Sequence, residues 1–222
     1  MATKKKVGIK VPTKNEILKK YGSMIIQASD TKEPGLWLPS TFFNLNYTLG
    51  GGFPWGKVTE IAGEESSGKT LIALNAAYAC QQLGGSVIWV DAEQSWMNSW
   101  AELNGIDPNK VTVIRDTRIE YISDAVADVA IYLRSQLVNN EPILLVVDSV
   151  AAIDCSDNID SKMVDGKAEM GGRAKALYRY FRIRSELFYK LGVTQIYINQ
   201  LRTALNVGFG KDNTCLHYNT MI

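Results

Sequence analysis

Histidine is almost missing: His217 is the only one in 222 residues. That excludes a histidine-based metal site and a Ser–His triad. Cysteine is scarce as well. Cys80, Cys155 and Cys215 are odd in number, far apart and without metal-ligand spacing. Such a set stays reduced, which predicts a cytosolic setting. The formal charge of +1 excludes blanket attraction to nucleic acid, so a polyanion must be met by local patches. No apolar run approaches a membrane span, and Ile143–Val147 is only strand-sized. The opening MATKKKVGIK is charged with no apolar run after it, unlike a secretory signal. There is no internal repeat and no low-complexity tract. What is present, 46% apolar and 21% charged residues, describes a soluble globular protein long enough to bury a sizeable core.

Thr13 to Gln27 reads as a short amphipathic helix with Thr13 and Glu16 as a capping box, and Pro34, Gly35 and Pro39 mark a linker after it. Residues 1–40 therefore look like a helix and linker attached to a core. From there the chain alternates. KVTEIAG, SVIWVD, VTVI, PILLVVD and VTQIYIN read as strands. The helical patterns between them are TLIALNAAYACQQLGG, Trp96–Asn104, YISDAVADVAIYLRSQLV and Gly171–Leu191. Apolar strands separated by helices predict an α/β fold, a mostly parallel sheet covered on both faces. Right-handed crossovers put every strand's carboxyl end on one edge, where ligands bind. The chemistry is thus expected at Gly63 onward, Asp91 to Glu93, Asp148 and Gln200.

Gly63, Glu64, Glu65, Ser66, Ser67, Gly68, Lys69 and Thr70 complete the pattern G-x-x-x-x-G-K-[ST] between a strand and a helix. Glycines let backbone N–H groups turn inward around phosphates, and the helix N-terminus adds its dipole. Lys69 would reach the β- and γ-phosphates, and the Thr70 hydroxyl would ligate Mg²⁺. Asp148 ends an apolar strand, as the second element of a magnesium site does; an ordinary N-cap would look the same. Glu93, just past SVIWVD, reads equally as a base polarising water or as a solvated glutamate at a helix start.

GEESSGKT, DAEQ, VVDSVAA and INQLR, in this order and at these intervals, resemble the RecA family of bacterial and phage recombinases. The likeness runs from about Asn15 to Thr214. It implies a RecA-like P-loop NTPase core over 41–214 and an N-terminal arm that packs on a neighbouring subunit of a helical filament. It implies an ATP-dependent, DNA-dependent ATPase that binds single-stranded DNA, pairs it with duplex DNA and exchanges strands. Glu93 matches the family's catalytic glutamate, beside Lys69. Trp100 falls where a tyrosine stacks on adenine, and Met97 replaces an acidic residue that reads the base edge. Gln200 would sit beside the γ-phosphate at the end of a strand lying between those of the phosphate loop and Asp148. It would act as a lever between ATP and a DNA-gripping loop. Met170, Lys175, Arg182 and Arg202 match positions near DNA.

Residues 156–172 and 202–214 have no apolar period and are expected as loops. Lys175, Tyr178, Arg179 and Arg182 share one helical stripe, which fits a solvated face as well as phosphate contacts. Arg184 falls in the apolar sector with no evident partner. After Thr214 the likeness gives way to CLHYNTMI, residues 215–222, as if the gene product were truncated or interrupted. Such a chain could bind ATP yet hydrolyse it poorly alone. The rival expectations are a non-catalytic ATP-binding module that modulates longer filaments, and a helicase on the same fold.

Overall fold

The computed structural model describes residues 12–25, 36–164, 171–203 and 216–217. Residues 1–35 and 36–222 form two units. In the first, α1 (Lys14–Tyr21) starts at a complete capping box: Glu16 N donates to Thr13 Oγ1, and Thr13 N donates to Glu16 Oε2 at 2.8 Å. Its last turn carries Lys19 and Lys20, the sign that suits a helix C-terminus.

The second unit opens with β1 (Trp37–Leu38), α2 (Phe43–Thr48) and β2 (Phe53–Pro54), a small hairpin absent from the sequence reading. Gly52 is obligatory there, because a Cβ would stand 2.4 Å from the Leu38 carbonyl oxygen and φ is +131°. The main alternation follows: β3 (Val58–Gly63), α3 (Lys69–Gln82), β4 (Ser86–Asp91), α4 (Asn98–Leu103), β5 (Val111–Ile114) and α5 (Ile119–Gln136). It continues through β6 (Ile143–Asp148), α6 (Ser156–Val164), α7 (Gly172–Leu191) and β7 (Val193–Gln200), and β8 (Arg202–Thr203) pairs with β9 (Leu216–His217).

Strands β3 to β7 make a five-stranded, wholly parallel sheet in the order β3-β7-β6-β4-β5. The sheet is the expected α/β core, and its last strand lies between β3 and β6 as the family resemblance implied. Alternate residues of each strand face opposite layers. Val87, Trp89, Leu144, Val146, Ile196 and Ile198 pack with α3 on one face. Ile88, Val90, Leu145, Val147, Val193 and Tyr197 pack with α5 and α7 on the other. Burying a leucine such as Leu144 completely contributes about 1.5–3 kcal/mol. Because both faces are covered, β6 is apolar at every position until Asp148.

One sequence expectation changes here. Residues 156–164 form helix α6 rather than loop. The polar run hid a cap: Asp154 Oδ1 accepts from Cys155 N at 2.9 Å and from Asn158 Nδ2 at 2.8 Å, which organises the entry to the helix. Among the described residues no helix is long and apolar enough to cross a membrane.

Candidate functional site

Parallel strands bring five carboxyl ends to one edge. Gly63 of β3 is in register with Gln200 of β7, and Asp91 of β4 with Asp148 of β6. Leu201 N donates to Gly63 O at 3.0 Å, so the base of the phosphate loop and the exit from β7 share a backbone bond.

The loop between β3 and α3 turns through two left-handed residues, Ser66 at φ +59° and Gly68 at φ +88°. Glu64, Glu65, Ser66 and Ser67 are exposed on it. Gly63 is held close, since a Cβ there would meet Ser67 Oγ at 2.7 Å. Lys69 is only 8% exposed, and its ammonium donates to Gly63 O at 3.1 Å and to Glu64 O. Lys69 is thus a nearly buried cation held by backbone carbonyls at the base of the turn. Next to it Thr70 Oγ1 donates to Asp148 Oδ2 at 2.9 Å. Asp148 is 3% exposed, and burial pushes its carboxyl up to about 6 against the Thr70 hydrogen bond, with Glu93 and Asp91 adding repulsion.

A hydroxyl and a carboxylate side by side are hard oxygen donors of the type Mg²⁺ takes, so the site fits that ion. Among the described residues no group of three or more His, Cys, Asp or Glu could hold a metal alone. Nucleotide and water oxygens would have to complete the shell.

Glu93 Oε1 receives two donors: Gln200 Nε2 at 2.8 Å and the Ser149 hydroxyl. The Asp148–Ser149 peptide between these groups is cis. Lys69, Thr70, Asp148, Glu93 and Gln200 therefore meet at one end of the sheet. Gln200 touches Glu93, a partner that spacing did not indicate. Asn199, its neighbour, is 4% exposed and donates to Glu60 Oε1 at 2.9 Å.

Trp100 lies on α4, 44% exposed, and Met97 precedes that helix at 61%. The aromatic ring packed inward is Trp96, 5.0 Å from Trp89. Lys175 and Arg182 are exposed on α7, away from the phosphate loop in sequence, with Tyr178 and Arg179 exposed on the same helix. They flank a groove of about 690 Å³ that Asp157, Glu120 and Asp124 also line. Met170 lies outside the described residues, as does the side chain of Arg202, whose backbone belongs to β8.

Sequence reasoning missed Ser149 and Arg115. Ser149 follows Asp148 directly, and Arg115 follows VTVI, so both stand at strand carboxyl ends. The rule that found Gln200 would have found them if applied to every strand.

The RecA N-terminal domain family matches residues 11–221. Similar curated proteins are each named Protein RecA. That of Corynebacterium jeikeium is 36% identical over 194 residues, 87% of this chain and 49% of that protein. That of Malacoplasma penetrans is 36% identical over 198 residues, 89% of this chain and 57% of that protein. That of Bacteroides thetaiotaomicron is 32% identical over 218 residues, 96% of this chain and 63% of that protein. The chain thus spans about half to two thirds of the length of these relatives.

Proposed function

The chain belongs to the RecA N-terminal domain family, and from that premise we propose that it binds ATP with Mg²⁺ and grips single-stranded DNA as part of a recombinase filament. In this reading it promotes homologous pairing with duplex DNA and strand exchange, with ATP hydrolysis stimulated by DNA. The curated relatives carry one name, so neither a helicase nor a non-catalytic module is favoured.

The observation that carries the reading is the Gln200–Glu93 hydrogen bond at 2.8 Å, at the end of a strand bonded to the phosphate loop. Gly63 to Thr70 would enclose the triphosphate, with Lys69 exchanging the Gly63 and Glu64 carbonyls for phosphate oxygens. Thr70 and Asp148 would hold Mg²⁺, which when bound neutralises charge on the phosphates. Glu93 would orient and deprotonate the attacking water, as its exposed carboxylate permits once a donor leaves it. Gln200 is that donor. The N–H that Gln200 gives Glu93 could go instead to a phosphate oxygen, and the amide would then rotate away from the carboxylate. Its choice moves the end of β7 and, through Leu201, the segment after it, a two-state element of the switch type. Trp100 would stack on the base. Met170, Lys175, Arg182 and Arg202 would face the DNA, and the arm, residues 1–40, would pack on a neighbouring subunit.

Binding of labelled single-stranded DNA with and without ATP and Mg²⁺ tests this. ATP should tighten binding by about tenfold, a coupling of ordinary size. Gln200→Ala should still bind ATP but lose most of that gain. Equal DNA affinity with and without ATP in the unaltered protein would overturn the reading.

A further inference from the structure

The turn that carries Glu93 is held from beneath by groups outside the nucleotide site. Asp91 ends β4 with no exposed surface. Its Oδ1 accepts from Ser95 N at 2.8 Å, and its Oδ2 from Trp96 N at 3.2 Å and Arg115 Nε at 3.2 Å. Arg115 enters from the end of β5, and its Nη2 reaches the Trp96 carbonyl at 3.4 Å. The guanidinium thus spans both ends of residues 91–96.

Within that span Gln94 has φ +55°, a conformation that a residue with a Cβ adopts only when its surroundings hold it. Ala92 N donates to Asp148 O at 3.0 Å, fixing the start of the turn to β6. The Trp96 ring on Trp89 fixes its end. Glu93 therefore sits one residue past a bond to the neighbouring strand, one before the Gln94 amide that donates to Asp91 O at 3.3 Å, and two before the first amide held by the Asp91 carboxylate. A buried carboxylate without such partners would be costly, and here every bond it makes is to the turn or to the arginine that closes it.

We propose that Asp91 and Arg115 are positioning residues, a clamp that fixes the turn so that the Glu93 carboxylate stays between Ser149 and Gln200. The proposal rests on the ATP-hydrolysis reading above for its effect on turnover, but not for its effect on the turn. Neither residue touches Glu93. Their influence passes through the backbone of residues 92–95. Reaction rates are sensitive to misplacement of a catalytic group by about 1 Å, on the order of 10²-fold.

Three proteins decide it: wild type, Arg115→Ala and Arg115→Lys. Hydrogen exchange at the Ser95 and Trp96 amides should accelerate at least about tenfold in Arg115→Ala, and much less in Arg115→Lys. Single-turnover ATP hydrolysis should fall about tenfold or more in Arg115→Ala and recover only in part in Arg115→Lys, which keeps the charge beside Asp91 but not both bonds. ATP affinity should stay within about twofold of wild type, a split that general unfolding would not produce. Unchanged exchange in Arg115→Ala overturns the clamp. Faster exchange with undiminished hydrolysis overturns the positioning role. A wild-type chain that binds no ATP instead refutes the nucleotide reading, one that binds it without turnover refutes the hydrolysis reading, and in either case exchange alone decides whether the clamp exists.

Discussion

Three buried side chains keep protons that water would take from them at high pH. Burial pushes the Cys80 thiol up to about 12 and the Tyr180 phenol up to about 12, and it raises Tyr197 well above the usual tyrosine range. In the unfolded chain a cysteine ionises near 9 and a tyrosine near 10. Between pH 9 and 12 the unfolded state thus binds fewer protons than the folded one, so stability is complete below 9 and falls as pH rises. The slope approaches about 1.4 kcal/mol per pH unit for each group once the pH has passed its unfolded value, near 9 for Cys80 and near 10 for the tyrosines. Urea midpoints measured from pH 8 to pH 11 should decline accordingly, and a flat profile would contradict the burial. Arg184 teaches a different lesson at this scale. On a helical wheel it sits unexplained in the apolar sector of α7. In the fold its Nε donates to Ser123 Oγ at 2.8 Å and it pairs with Asp124, both on α5. A wheel contains one helix, and the partner lay on another about sixty residues away, so no local pattern could have revealed it.

At the scale of elements, α7 and β7 are joined by more than apolar contact. The Tyr180 and Tyr197 hydroxyls are 3.1 Å apart, and Tyr197 also donates to Gln195 Oε1 at 2.9 Å. This places a polar chain between the helix that bears Lys175 and Arg182 and the strand that ends in Gln200. Removing the Tyr197 hydroxyl takes that bond from both the Tyr180 hydroxyl and Gln195 Oε1, all of them buried. Tyr197→Phe should cost about 1–3 kcal/mol, and Tyr180→Phe/Tyr197→Phe less than the sum of the single changes. A denaturant double-mutant cycle with no coupling would show that the hydroxyls do not interact. Strands were the most legible elements because a sheet covered on both faces demands continuous apolar runs, and VTVI and SVIWVD appear at their full extent. The β1–β2 hairpin was not, since two-residue strands carry no period. Nor was α6, whose order comes from Asp154 and Asn158 and not from an apolar face. At the site, the phosphate loop was readable because its backbone demands glycine and lysine at set places. The Gln200–Glu93 contact was not, because it depends on which strands are neighbours.

For the whole molecule the formal charge of +1 sets the terms of any encounter with DNA. With no general field to draw in a polyanion, affinity for DNA would come from local phosphate contacts, whose number sets its salt dependence. Each contact removed should flatten it. Arg182→Ala should lower the slope of log affinity against log salt by about 0.7 for single strands, and should weaken binding similarly on all sequences. An unchanged slope in a titration from low to moderate salt would remove Arg182 from the interface.

The strand order β3-β7-β6-β4-β5 also governs how the molecule is made. The segment that joins the first strand of the sheet to the rest is the last of the five to be synthesised. A nascent chain that has emerged only as far as β6 can zip three strands together, but β3, at the base of the phosphate loop, has no neighbour in the sheet. Nucleotide binding should therefore switch on abruptly during translation, when residues 193–200 leave the ribosome and wedge into the gap.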